Sequence, residues 1–257
     1  MRNTRERTHN VTNTLNGKVA LVTGASRGIG AAIAQRLAAD GASVALTYSH
    51  SKDRAEEVVA GIRSAGGRAH AIQADSAKDE DIAAAVDETV RTFGGLDILV
   101  NNAGGGTFGP VQELPLDAID TMINVNIRGV VVGIREALRH LPDGGRIITI
   151  GSINADRVPF PGGSVYGMTK SAVAGLTRGL SRELGPRGIT VNNVQPGPTD
   201  TEANPADGPM SSSMLSWMAL DRFGRSEEIA AMVSYLAGPE AGFVTGASLD
   251  IDGGFGA

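Results

Sequence analysis

The sequence predicts an α/β fold in one domain: a doubly wound, seven-stranded parallel sheet with helices on both faces. Three observations predict it. Short apolar runs of β type recur along the chain, segments of helical periodicity separate them, and neither a repeat nor a linker divides the 257 residues. Strands alternating with helices imply βαβ units, a parallel sheet covered on both sides and right-handed crossovers.

The first strand is the run Val19–Thr23, and Ile29, Ile33 and Leu37 recur at helical spacing over 29–39. A second strand, Val44–Tyr48, precedes a helix over 53–65 carried by Ala55, Val58 and Ile62. Ala69–Gln73 is the third strand, and Ile82, Val86 and Val90 mark a helix over 79–93. The fourth strand, Ile98–Asn101, leads into one long helix over 116–140. Arg146–Ile150, a helix over 165–184, Thr190–Val194, a helix over 226–237 and Ser248–Ile251 complete the sheet. Pro196 to Arg225 lacks clear periodicity; a stretch that long inside a compact domain reads as a substrate lid over about 198–225. Residues 1–16 are polar and read as a flexible tail ahead of a single domain over 17–257.

Composition narrows the chemistry. A formal charge of -5 argues against nucleic acid or an anionic membrane as partner. The absence of cysteine excludes disulfides and thiolate catalysis, and His9, His50, His70 and His140 show no metal-ligand spacing, so no metal is expected. No apolar run is long enough to span a bilayer and the amino-terminal residues do not form a secretory signal, so a cytoplasmic location is expected.

Tyr166 and Lys170 are four residues apart, with Ser152 fourteen residues upstream of the tyrosine. On a helix, i and i+4 share a face, so the ammonium would lie beside the phenol and lower its pKa from about 10. Ser152 would aim a hydroxyl at the oxygen being protonated. The three together are general-acid machinery for a carbonyl.

Gly24-Ala25-Ser26-Arg27-Gly28-Ile29-Gly30 follows the first strand and opens the first helix. There a dinucleotide pyrophosphate meets backbone N–H groups and the positive end of a helix, as in a Rossmann-type fold. Gly24 to Gly28 also matches the GxSxG elbow of α/β-hydrolases, but that fold needs a later acid and then a histidine, and the last histidine is His140. The second strand ends in Tyr48, followed by Ser49, His50, Ser51 and Lys52, with no carboxylate before Asp53 to hold a ribose 2′-hydroxyl. Arg27 could reach a 2′-phosphate, with Tyr48 and Ser49 at the strand end and His50 or Ser51 beside them. This favours NADP(H) over NAD(H).

Together the motifs resemble the short-chain dehydrogenase/reductase family from Lys18 to Ala257. Besides the glycine loop there are Asn101-Asn102-Ala103-Gly104, Val125-Asn126, Ser152, Tyr166-x-x-x-Lys170, Pro196-Gly197 and the ending Asp250-Ile251-Asp252-Gly253-Gly254. The resemblance implies a catalytic tetrad. Tyr166 would donate the proton, Lys170 would bind the nicotinamide ribose, Ser152 would polarise the carbonyl, and Asn126 would hold a water linking Lys170 to solvent. It further implies that Asp75 contacts adenine, that Asn102, Ala103 and Gly104 line the adenosine side, and that Pro196, Gly197, Thr199 and Thr201 face the nicotinamide. Asp75 could instead cap the next helix, and Asn126 could be a core or kink amide. The serine–tyrosine spacing is one longer than is common in the family, and Thr199 stands where a branched aliphatic is usual.

The expected activity is reversible, NADP(H)-dependent reduction of a ketone or aldehyde, of the carbonyl or 3-oxoacyl reductase kind. Met210, Met214, Leu215, Trp217 and Met218 would either pack a helix or cover an apolar substrate; Arg157 would be solvated or attract an anionic group. Apolar faces on 116–140 and 165–184, with the family's habit, imply a homotetramer or homodimer. Gln195-Pro196-Gly197-Pro198, Asn204 to Pro209 and the ending Phe255-Gly256-Ala257 also resemble a subgroup containing biofilm-dispersal proteins that bind cyclic-di-GMP, which leaves a nucleotide-binding regulatory protein as the alternative.

Overall fold

The computed structural model describes residues 14–257. The apolar runs form β1 (Val19–Val22), β2 (Ser43–Tyr48), β3 (Arg68–Gln73), β4 (Ile98–Asn101), β5 (Arg146–Ile150) and β6 (Thr190–Pro196). Two short strands in the lid, β7 (Thr199–Asp200) and β8 (Gly224–Arg225), precede the last, β9 (Ser248–Ile251). The main sheet is parallel throughout, in the order β3-β2-β1-β4-β5-β6-β9. The chain starts at the centre with β1, winds outward to β3, then returns to place β4 on the other side of β1. That reversal opens a crevice at the carboxyl ends of β1 and β4, where α/β sheets bind ligands.

The helices are α1 (Gly28–Ala39), α2 (Lys52–Ser64), α3 (Asp79–Phe93), α4 (Leu116–Ile123), α5 (Gly129–Ala137), α6 (Ser164–Leu184), α7 (Ser211–Leu215) and α8 (Ser226–Ala237). Alternate strand residues serve opposite faces. Ala20, Val22, Ile98, Val100, Ile148 and Ile150 pack with Ile33 and Leu37 of α1 and Ile229 and Val233 of α8. Leu21, Leu99 and Ile147 pack with Val86 of α3, Val130 and Ile134 of α5 and Val173 of α6. β1, β2, β4 and β6 are buried throughout, as a sheet covered on both faces requires.

Three expectations change. The helix over 116–140 is not continuous: a π-turn, Asn124–Arg128, separates α4 from α5, and α5 ends at Ala137. Gly129, after the turn, permits the close approach to β3's exit, since a Cβ there would lie 2.3 Å from the Ser76 carbonyl oxygen. The lid is partly ordered by α7 and by β7 and β8, which pair with each other. The tail expected over 1–16 falls outside the described residues up to 13, but Leu15 is no tail residue. It is 1% exposed, joins the α1 core, and its N–H donates to the Asp40 carbonyl at 2.9 Å.

Candidate active site

Beyond β1 the chain turns at once into α1. Gly24 takes φ +63°, and a Cβ there would lie 2.8 Å from Ala103 Cα, so the β4 exit packs directly on the turn. A Cβ on Gly30 would lie 2.4 Å from Asn102 Nδ2, which donates instead to the carbonyls of Thr23 (2.9 Å) and Gly24 (3.0 Å). Thr23 Oγ1 accepts from the N–H groups of Asn102 and Ala103, and Thr47 Oγ1 accepts from that of Gly24. Asn102 is thus a brace for the glycine loop as well as part of its lining. Thr23 and Thr47 are braces that sequence reasoning passed over, because a threonine ending a strand looks like any other.

The amino end of α1 has no side-chain cap and no acidic residue in its first turn. It faces a cavity of about 450 Å³. Gly24, Arg27, Gly28, Ile29, Gly30, Asn102 and Gly104 line one part, and Ser152, Tyr166 and Lys170 another. Pro196, Gly197, Thr199 and Thr201 adjoin them from the β6 exit and the lid. An uncapped helix end in a slot cleared of side chains fits the pyrophosphate of an extended dinucleotide.

Not every expected residue reaches this cavity. Ser26, Tyr48, Ser49, Asp75, Ala103 and Asn126 are outside its lining. Tyr48 is 7% exposed and belongs to the core, and Ser49 hydrogen-bonds to His50. The Asp75 carboxylate accepts from the Ala77 N–H at 3.0 Å, closing the turn ahead of α3. Arg27 faces a carboxylate: Glu202 of the lid lies 3.6 Å away and also pairs with Arg54 of α2, whose hydrogen bond is the main cause holding the Glu202 pKa below its usual value. Arg157 donates to the backbone carbonyls of Phe255 and Ala257, so it braces the last residues rather than standing free.

Asn126, buried in the π-turn, donates to the Gly105 carbonyl at 2.8 Å and to Thr169 Oγ1 at 3.0 Å, and accepts from the Gly105 N–H at 3.1 Å. It therefore fixes the loop leaving β4 against α6. π-turns are rare and frequent at functional sites. Ser152 leaves β5 with extended backbone and accepts from the Asn154 N–H at 3.1 Å. Lys170 Nζ donates to the Ile150 carbonyl at 2.9 Å and lies 5.7 Å from the Tyr166 ring centre. Burial pulls Lys170 down to about 8. Burial also raises the Tyr166 pKa, opposed by the Ser152 hydroxyl. The direction is thus opposite to the lowering expected from the lysine: desolvation sets it and only Ser152 opposes it, which spacing along a helix does not reveal.

A doubly wound sheet, a glycine loop at its switch point and a Ser–Tyr–Lys group sharing one cavity define a class, the nucleotide-binding oxidoreductases. Residues 24–256 match the family described as enoyl-(acyl carrier protein) reductase. The chain is 53% identical over 241 residues to the cyclic-di-GMP-binding biofilm dispersal mediator protein of Escherichia coli (strain K12), covering 94% of this chain and 98% of that protein. Among solved structures, a short-chain dehydrogenase/reductase from Serratia marcescens BCRC 10948 is 59% identical with TM-score 0.94, covering 95% of this chain and 100% of that one. A short chain dehydrogenase from Burkholderia cenocepacia J2315, in complex with NADP, is 55% identical with TM-score 0.94 over 95% of this chain and 100% of that one. The chain belongs to the short-chain dehydrogenase/reductase family.

Proposed function

We propose that the protein is an NADP(H)-dependent carbonyl reductase in which Tyr166 is the general acid. The observation that carries this reading is the single cavity in which the glycine loop and Ser152, Tyr166 and Lys170 meet. NADP bound to the Burkholderia relative supports the choice of cofactor. Gly24, Gly28 and Gly30 would hold the pyrophosphate, Arg27 the 2′-phosphate and Lys170 the nicotinamide ribose. When bound, the reduced nicotinamide supplies the hydride.

The chain's own residues manage the proton. The raised pKa keeps the Tyr166 phenol protonated at neutral pH, ready to donate to a carbonyl oxygen. Ser152 donates a hydrogen bond to the same oxygen and orients it. As the phenol gives up its proton, the Lys170 ammonium stabilises the phenolate. Asn126 holds the Gly104–Gly106 loop in place beside Lys170 through Gly105. Its side chain is committed to protein partners, so a relay water would rest on main-chain atoms of the π-turn. A spectrophotometric screen of ketones and aldehydes, run with NADPH and NADH in parallel, tests the proposal. Turnover with NADPH is expected, and none with either cofactor would overturn it.

A second reading, binding of cyclic-di-GMP, is favoured by the name of the Escherichia coli relative. Calorimetry with cyclic-di-GMP beside NADPH tests it: heat with the cyclic dinucleotide supports it, and none refutes it.

A further inference from the structure

We infer that the substrate end of the cavity is a slot for a flat aryl ketone, an uncharged carbonyl on an aromatic ring system, rather than for a linear or carrier-bound acyl chain. This rests on the carbonyl-reductase proposal above. The chain holds six Phe, three Tyr and one Trp, and half of them gather at this end. The Phe108 ring lies 5.3 Å from that of Tyr166 and 6.0 Å from Phe160; Trp217, which backs the lining rings without lining the cavity itself, lies 6.1 Å from Phe160, nearly parallel, and 5.9 Å edge-on from Phe255. Besides Tyr166 on α6, these rings come from the loops after β4 and β5, from the lid and from the segment after β9. Four remote segments thus deliver aromatic rings to one place. A lid that only needed apolar filling would be served equally by aliphatic residues.

Two further features give the slot its shape and its charge. Phe108 is 54% exposed although it sits against Tyr166, a ring face left uncovered at the cavity mouth. Beside it Gly106 presents bare backbone: a Cβ there would lie 2.7 Å from Tyr166 Cδ2, so the wall is flat next to the acid. Among the cavity's lining residues the ionisable side chains other than Tyr166 are Arg27, Glu202 and Lys170. The first two are paired with each other at the glycine loop, and Lys170 is bonded to Ile150. Arg157 lies 5.7 Å from the Phe255 ring centre but outside the cavity lining, and it donates to the Phe255 and Ala257 carbonyls, so no lining cation stands at the aromatic end to meet the phosphate of a carrier-bound thioester.

The test compares kcat/KM for 2-acetonaphthone and 1-tetralone with that for 2-octanone and an acetoacetyl thioester of N-acetylcysteamine, all with NADPH. The aryl ketones are expected to lead by about tenfold or more. Phe108→Leu and Trp217→Leu should each cut that lead by roughly fivefold, mainly through KM for the aryl ketone, with the KM for NADPH unmoved. Phe108 is exposed enough that its variant should fold even where the Trp217 variant does not. A linear substrate turned over as well as the aryl ketones, or a lead unchanged in the variants, overturns the slot and leaves the reductase proposal standing. Calorimetry of 2-naphthol against 1-octanol on the NADPH-loaded protein separates the converse case. Preferential 2-naphthol binding that weakens in Phe108→Leu, without turnover of any ketone, supports the slot and removes the reductase proposal. Equal binding of the two alcohols counts against the slot.

Discussion

Lys170 extends past Tyr166 to the carbonyl of Ile150: its Nζ lies 5.7 Å from the phenol ring centre, and its hydrogen bond of 2.9 Å goes to the end of β5. The helix spacing brings the two side chains together, and the strand fixes where the charge sits. Burial disfavours the charged form of both groups, so each has a pH signature of its own.

Stability should rise with pH because of Lys170. Its folded pKa of about 8 lies below the ordinary lysine value of 10.5, so between the two the unfolded chain binds more protons than the folded one. The penalty of burying the ammonium is fully present below about pH 8 and is relieved as pH rises toward that of a free lysine. Tyr166 has the opposite sign: its raised pKa makes the unfolded chain lose its proton first, so stability falls above about pH 10. In urea melts of ligand-free protein, wild type should gain on Lys170→Met by about 2 kcal/mol between about pH 7.5 and 9.5. A difference that stays flat would place the lysine's titration elsewhere.

Tyr166→Phe should lower kcat by about 10²- to 10⁴-fold, the range for loss of a general acid. NADPH affinity and melting temperature should hardly change, because the ring still packs on Phe108 and the hydroxyl supports no element of the fold. Steady-state kinetics beside a fluorescence titration checks both halves; a variant that kept its rate would remove the phenol from the chemistry.

The sheet was legible because each strand is a short apolar run between helices whose apolar residues recur near every fourth position. Ile98–Asn101, Arg146–Ile150 and Ser248–Ile251 agree residue for residue. The π-turn at Asn126 was not legible, since one wider turn hardly disturbs the periodicity of a long apolar helix. Leu15 was hidden by polar neighbours; a lone apolar residue says nothing about the groove it fills. At the site, motif order brought Tyr166, Lys170, Ser152 and the glycine loop to one cavity. It could not show Glu202 pairing with Arg54, because a contact between residues 148 apart depends on how the lid folds back.

That contact makes Glu202 an internal competitor for the anion expected at Arg27. The carboxylate is shared between Arg27 and Arg54, all three side chains being exposed, so the pairing is weak and salt-sensitive. Glu202→Gln should therefore tighten NADPH binding by roughly two- to fivefold at low ionic strength and leave NADH unaffected. The gain should shrink near about 0.5 M salt, where screening acts within a few ångströms. Arg54→Ala should weaken NADPH binding, because it leaves the Glu202 carboxylate to Arg27 alone. Equal changes for NADPH and NADH would show that Glu202 acts on the lid alone.

Gln195 ties the carbonyl-facing loop to the sheet. It is fully buried on β6, and its amide donates to Asp156 at 2.7 Å and to Asp250 at 2.8 Å while accepting from Asn193 at 3.0 Å. Asp156 lies in the loop that follows Ser152, and Asn193 packs so closely on Gly151 that a Cβ there would come within 2.5 Å of it. Gln195→Leu should cost about 1–3 kcal/mol by leaving these partners unpaired, and should raise KM for the carbonyl more than for NADPH. Gln195→Glu separates hydrogen bonding from shape, because an ionised glutamate would face two carboxylates. Its stability deficit relative to Gln195→Leu should grow as pH rises from about 5 to 8 and shrink on acidification, when the introduced carboxyl group takes up a proton and can donate it to one aspartate. Urea melts of the two variants across that range decide it: parallel curves would mean that Asp156 and Asp250 turn outward to water and that Gln195 only fills space.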